Sequence, residues 1–211
     1  MFPCAIPSDA EKKSVWDTYR QRHPIRVPLR WNVNCRIVLL DPALNPEGWT
    51  FDQYLADPDI HLKIRVRFQE HQATVLSQVS DTPAALPAWW TAGVDVQNTY
   101  DAAYFGGRIV CHPGQVPAVE PFLDESDLDD FLKRDFSDVR RNPFIQEQLA
   151  FHEKLEKAAP GQTVQGRPFR IKPYVTAFDG PVTAAAAIFG ASFFWVLGDD
   201  PPKAARVLEK I

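Results

Sequence analysis

Nineteen prolines divide these 211 residues into short segments. Each removes a backbone donor and fixes φ, so helix interiors and inner strands seldom run through one. At 19 of 211, roughly 9%, proline stands well above its usual ~5%. Glycine is scarce at 10, so the connections read as stiff. Several prolines sit where a helix accepts them, at its first turn: Asp57-Pro58-Asp59, Asn142-Pro143, Gly180-Pro181 and Asp200-Pro201.

Between these punctuation marks the apolar spacing assigns elements. Val15, Trp16 and Tyr19 mark a short amphipathic helix within 9–22, which Pro24 ends. Residues 26–31 alternate around Pro28 and suit a first strand, with a second apolar run over Arg36–Leu40. Thr50 and Gln53 form a capping box. Ile60, Ile64, Phe68, Val75 and Val79 predict a long helix over 59–79. Strands follow at 86–96 and 108–111, a helix capped by Ser126 at 127–134, another from Pro143 to Gly161, and a strand at 171–178. Two more helices open at Pro181 and Pro201. Strands alternating with helices predict an α/β protein with a mainly parallel sheet.

Composition narrows the function. Twenty-seven acids against 23 bases give a net charge of −4, with no basic footprint for nucleic acid and no polybasic arm for a membrane. The apolar run Val182–Leu197 is too short for a span, and residues 1–13 lack the pattern of a signal peptide. Three widely spaced cysteines, Cys4, Cys35 and Cys111, fit a reducing compartment better than a disulfide framework. The expected location is therefore the cytoplasm.

The usual chemical motifs are missing from the sequence. It has no GxGxxG, no GxxxxGK[ST] and no GxSxG elbow. The histidines are not at zinc-site spacing, and no metal ligands are assigned. The acidic stretch Asp124–Asp130 lacks the glycine and terminal Glu of a calcium loop and reads as a helix start. Two features remain. Asp95 and Asp101 follow a strand, the place where α/β enzymes put their chemistry. Arg26, Arg30 and Arg36 lie in or beside the first strands, where guanidinium groups either grip substrate carboxylates or form surface ion pairs.

The segment Phe178-Asp179-Gly180-Pro181-Val182-Thr183-Ala184, followed by Gly190, Phe193-Phe194, Leu197 and Asp199-Asp200-Pro201, resembles the uroporphyrinogen decarboxylase-like superfamily. Arg26-Val27-Pro28, Tyr54–Pro58 and Ala102-Ala103-Tyr104-Phe105-Gly106 resemble earlier motifs of the same family. The likeness runs from about residue 26 to the end. It implies a (β/α)8 TIM barrel of which residues 1–211 are the N-terminal portion, cut after three or four βα units, with 1–24 as a helical extension. It also implies one of two chemistries: decarboxylation of a tetrapyrrole, or methyl transfer involving a corrinoid and a thiol. Asp95 is the nearest match to the family's pyrrole-gripping aspartate, with Asp101 second, as the implied catalytic carboxylates, and Arg30, Arg36, Phe105, Gly106 and Gly180 are the implied substrate contacts. The arginine-rich RQAGRY-type stretch of the decarboxylases is replaced here by Leu29–Arg36, in which only Arg30 and Arg36 stand in.

The family's catalytic tyrosine and late histidine, and the zinc ligands of its methyltransferases, would fall beyond Ile211. No cofactor is thus expected within the chain itself. A corrinoid and zinc are expected of a full-length methyltransferase, with a corrinoid protein as partner and a tetrapyrrole or thiol as substrate. The alternative is a non-catalytic binding module on a partial barrel. A cut barrel leaves strand edges and an apolar helix face uncovered. The 211-residue chain is therefore expected to self-associate, and sedimentation velocity across a dilution series checks this. A concentration-independent monomer would contradict it.

Overall fold

The computed structural model describes residues 6–31, 33–175 and 179–211. Its helices are α1 (Asp9–Arg20), α2 (Ile37–Leu40), α3 (Phe51–Ala56), α4 (Pro58–Thr74) and α5 (Tyr100–Tyr104). They continue with α6 (Leu128–Lys133), α7 (Pro143–Ala158), α8 (Pro181–Phe189), α9 (Ser192–Asp199) and α10 (Pro201–Lys210). The strands are β1 (Trp90–Ala92), β2 (Ile109–Val110), β3 (Ala118–Val119), β4 (Thr163–Val164) and β5 (Arg167–Ile171). They belong to two compact units, one made of Met1–Ala92 with Leu155–Lys172, the other of Gly93–Lys154 with Pro173–Ile211. No single described helix is long and apolar enough to cross a membrane.

In the first unit the expected helix starts are present. Asp57 caps α4 through the Asp59 and Ile60 N–H groups, with Pro58 in its first turn. Thr50 and Gln53 close their capping box on α3. Leu62, Ile64, Val66 and Phe68 are all buried, so α4 is enclosed on more than one face. It stops at Thr74, short of the predicted 79, and a 3-10 turn over Leu76–Val79 leaves Val75 and Val79 exposed.

The sheet of this unit has the order β1-β5-β4. β1 lies parallel to β5, with Trp90 opposite Phe169 and Ala92 opposite Ile171. The Lys172 N–H adds one more bond to the Ala92 carbonyl, 2.8 Å. β4 joins β5 antiparallel through Gln165 and Gly166, both at positive φ (52° and 71°), the backbone a two-residue type I′ hairpin needs. The other edge of β1 is closed by Gln69 from α4. Its amide accepts the Thr91 N–H and donates to the Thr91 carbonyl, each at 3.1 Å, as a neighbouring strand would. Trp90 is fully buried and donates its indole N–H to the Val164 carbonyl at 2.9 Å.

Three predicted strands differ from this arrangement. Pairing over 86–96 is confined to Trp90–Ala92, between Pro87 and Gly93. The strand expected at 171–178 lies earlier, because the Gln165-Gly166 turn sets its start; Thr176–Phe178 fall outside the described residues, as do Cys4 and Asn32. Residues 26–31 are not in a sheet at all, and Ile37–Leu40 is helical. Pro24 and Pro28 have no ladder donors to offer, and Asp81 takes hold of the segment instead. Its carboxylate accepts the Leu29 N–H at 2.7 Å and grips both terminal nitrogens of Arg26. The Asp81 N–H returns to the Leu29 carbonyl, also at 2.7 Å. Buried Lys12 fastens the same region to α1 by donating to the Ser77 and Thr82 carbonyls.

In the second unit the core is aromatic: Tyr100, Phe105, Phe131, Phe144, Phe189 and Phe193 are buried around Ile188, Ala204 and Val207. β2 and β3 form a small antiparallel ribbon. Asp124, not Ser126, is the capping residue ahead of α6, and it caps a 3-10 turn over Glu125–Asp127. Ser192 donates to the Phe189 carbonyl, so its hydroxyl serves the junction between α8 and α9.

The Arg26–Asp81 clasp has a checkable cost. The Arg26 guanidinium, helped by the Leu29 N–H, holds the Asp81 carboxyl below its ordinary range despite burial. A lowered carboxyl pKa stabilises above the unfolded value and loses that contribution as pH falls through the folded one. Asp81→Asn is expected to cost about 1–3 kcal/mol at neutral pH. The variant and the parent should converge only at more acid pH, as it falls from the ordinary carboxylate value through the lowered folded one. Urea unfolding at two pH values measures both.

Candidate functional site

The residues singled out from the sequence divide between the units. Arg30 and Arg36 lie in the first; Asp95, Asp101, Phe105, Gly106 and Gly180 lie in the second. Arg30 is exposed on an extended segment. Arg36 is buried, and its N–H is held by the Asn34 side chain at 2.9 Å, at the start of α2. Arg26, the third arginine of the set, is committed to Asp81 and is not free to grip a substrate.

Two of the glycines have structural reasons to be there. Gly106 has φ of +105° just past the end of α5. Its N–H returns to the Ala103 carbonyl and that of Gly107 to the Ala102 carbonyl, the paired bonds of a Schellman stop. A Cβ at Gly107 would lie 2.4 Å from Val119 Cγ1, so the Phe-Gly-Gly sequence is needed to end the helix against β3. Gly180 precedes α8 with ordinary backbone angles and open space around it.

Asp101 is different. It sits on α5 and is 6% exposed. Oδ2 accepts the Asp179 N–H at 2.8 Å, across 78 residues of sequence. Oδ1 is buried and has no hydrogen-bond partner among the described residues. Burial pushes the carboxyl above its ordinary range; the Asp179 N–H pulls it back, and the Asp179 charge adds to the rise. The second oxygen of this carboxyl is thus left as an acceptor whose charge burial disfavours. Asp95 is also buried.

A cavity of about 590 Å³ lies in the same unit, well within the usual range for small-molecule pockets. Asp101 does not line it, but its neighbours on α5, Tyr100 and Tyr104, do, with Phe105, Phe136 and Tyr174 completing the aromatic walls. These walls are braced. The Tyr104 hydroxyl donates to the Phe136 carbonyl at 2.7 Å, and Tyr100 meets Phe144 edge to face at 5.5 Å. Asp135, Glu209 and Lys210 supply charge along the lining. The Tyr174 hydroxyl is buried with no hydrogen-bond partner among the described residues. Burial, with Tyr100 beside it, pushes this phenol up to about 12.

Tyr174 and the Asp179 N–H were not picked as site groups from the sequence. Tyr174 follows the end of β5 by three residues, so the strand-end rule that selected Asp95 applies to it equally. No group of three or more His, Cys, Asp or Glu among the described residues is arranged to hold a metal ion. No protein-family model, curated protein or solved structure matches this chain.

The raised Asp101 carboxyl yields a prediction of unusual sign. A carboxyl whose folded pKa lies above its unfolded one destabilises once the pH exceeds both. Asp101→Asn keeps an oxygen for the Asp179 N–H and removes the buried charge. It is expected to raise the melting temperature at neutral pH. Each kcal/mol gained corresponds to about 2–4 °C for a chain of this size. Below about pH 3.5, where both forms are neutral, the difference should vanish.

Proposed function

We propose that this chain contributes a tetrapyrrole-binding site of the uroporphyrinogen decarboxylase-like kind, with Asp101 as its principal carboxyl. The observation that carries the reading is the bond from the Asp179 N–H to Asp101. Asp101 immediately precedes Ala102–Gly106, one of the short sequences on which the resemblance rests, and Asp179 lies within another, so this contact links two such segments across 78 residues of sequence. Further support comes from chain direction. The segments carrying Asp95–Asp101 and Asp179 continue from the carboxyl ends of β1 and β5, which are parallel neighbours. Strand ends of that kind are where α/β enzymes gather catalytic groups.

The chemistry follows from the carboxyl. A pyrrole ring presents N–H donors, and a buried carboxylate with a free oxygen accepts them with little competition from water. The same group, protonated, donates a proton or a hydrogen bond to a carboxylate or a corrin side chain. Decarboxylation of a porphyrinogen and methyl transfer from a corrinoid thus share one requirement on this chain, recognition of a reduced tetrapyrrole.

Titration with uroporphyrinogen under reducing, oxygen-free conditions, and separately with hydroxocobalamin, distinguishes the two chemistries. Binding of the porphyrinogen alone supports the decarboxylase branch; binding of cobalamin alone supports the methyltransferase branch. In either case Asp101→Ala should weaken binding about tenfold or more, the effect of losing a charge-assisted hydrogen bond. If neither macrocycle binds the parent chain, the tetrapyrrole reading fails and a non-catalytic binding module takes its place.

A further inference from the structure

We infer that copies of this chain pair head to tail, the basic, apolar patch of the first unit in one copy seated on the acidic, apolar patch of the second unit in another. The net charge of −4 conceals an uneven distribution. Residues 18–40 hold Arg20, Arg22, Arg26, Arg30 and Arg36 with no Asp or Glu among them. Residues 113–132 hold six acids with no Lys or Arg. The basic stretch belongs to the first unit and the acidic one to the second.

Each charged stretch adjoins exposed apolar side chains. Ile25, Val27, Leu29 and Trp31 alternate along an extended segment, and each is half or more exposed, so they share one side of it. Trp31 donates its indole N–H to the carbonyl of exposed Val79 at 3.1 Å, which widens the patch. The Asp81 carbonyl, close to Leu29, accepts the Trp16 indole N–H at 3.0 Å, and Arg20 lies over the Trp16 ring. The end of α1 thus stands at the same place. Arg22 and Arg30 are exposed, with no ion pair among the described residues. Pro24 and Pro28 stiffen the segment, which lowers the entropy lost when a partner covers it.

On the second unit, α9 buries Phe193 and Val196 and exposes Phe194, Trp195 and Leu197. It packs against the Glu125–Asp127 turn, and the Phe122 and Leu123 N–H groups both reach the Ile188 carbonyl of α8. The acidic stretch therefore runs beside the α8–α9 corner. Glu125 and Asp199 are exposed there, with no ion pair among the described residues.

Charge complementarity selects the occupant. One molecule carries two patches that are alike in exposed aromatic and aliphatic groups and opposite in sign, so each supplies what the other lacks. An anionic membrane would answer the first patch and be repelled by the second. The bases of the first stretch are all arginine, the cation enriched at protein interfaces where lysine is depleted. This pairing needs neither Asp101 nor a tetrapyrrole, so it goes beyond the function proposed above. It also differs from association through uncovered strand edges, because it requires charge.

Sedimentation velocity of the full 211-residue chain over a dilution series, at low and high salt, tests it. The screening length falls from about 30 Å at ~0.01 M salt to about 3 Å at ~1 M, and the dissociation constant is expected to rise about tenfold or more with it. Arg22→Glu with Arg30→Glu, and separately Glu125→Arg with Asp199→Arg, should each weaken self-association about tenfold or more at low salt. Mixed in equal amounts, these two variants should form a one-to-one dimer, since the second keeps the basic patch and the first the acidic one. Trp195→Ala should weaken the parent's association at both salts. A parent that stays monomeric at every concentration, association that salt leaves unchanged or strengthens, or variants that stay apart on mixing would each overturn the inference. A monomeric parent that instead sediments with phosphatidylserine vesicles would replace it with a lipid surface. Should either charge variant fail to fold, the parent's salt dependence and the effect of Trp195→Ala still decide.

Discussion

The parallel pairing of β1 with β5 is the constraint from which the rest of the arrangement follows. Parallel neighbours cannot be joined by a tight turn, so a long crossover must separate them. Here that crossover carries α5, β2, β3, α6 and α7 between Ala92 and Thr163. The pairing is short, three residues a side with one added bond from Lys172, and it is reinforced on both flanks. Gln69 closes the open edge of β1, and the β4–β5 hairpin covers the far edge of β5. Arg170 stacks over Trp89 at 3.3 Å, and the Arg167 side chain donates to the Pro87 carbonyl. Two arginines of β5 thus tie the chain just ahead of β1 to the same partner strand. In sequence, Asp95 and Asp101 follow β1, and Tyr174 and Asp179 follow β5.

How much of this was legible depended on whether the determining interaction was local. Asp57-Pro58, Gly180-Pro181 and Asp200-Pro201 open helices because the cap and the proline act within one turn. The Thr50–Gln53 capping box was legible for the same reason. Residues 26–31 were not, because their alternation suits a strand while their fate is decided by Asp81, about fifty positions away. The start of β5 depended on Gln165 at positive φ, a conformation that the turn imposes and that a glutamine does not advertise.

The site was legible by halves. Asp101 could be chosen because it follows a strand and stands beside a family-like motif. That one of its oxygens is satisfied and the other is not required knowing where Asp179 lies. Gly106 was chosen as a substrate contact, whereas its positive φ and the bonds around it belong to the helix stop of α5. Arg36 was chosen as a carboxylate clamp, but burial leaves it little access to solvent. Short motifs record backbone needs and ligand needs in the same residue types, and only packing separates them.

Asp81 and Lys12 in the first unit and Asp101 and the Tyr174 hydroxyl in the second are buried to different effect. In the first, Asp81 is ringed by Arg26 and two bonds to Leu29, and buried Lys12 divides its protons between the Ser77 and Thr82 carbonyls. Those charges cross-link distant segments and are satisfied in doing so. In the second, Asp101 keeps one oxygen without a partner, and Tyr174 keeps its hydroxyl likewise, among the described residues. Both groups are shifted chiefly by burial. A fold stabilised only for its own sake would replace such groups with apolar ones at little loss. Polar groups left costly in the interior are characteristic of sites shaped to meet something else. Of the two, Tyr174 lines the braced aromatic cavity, and Asp101 stands next in sequence to Tyr100 on its wall.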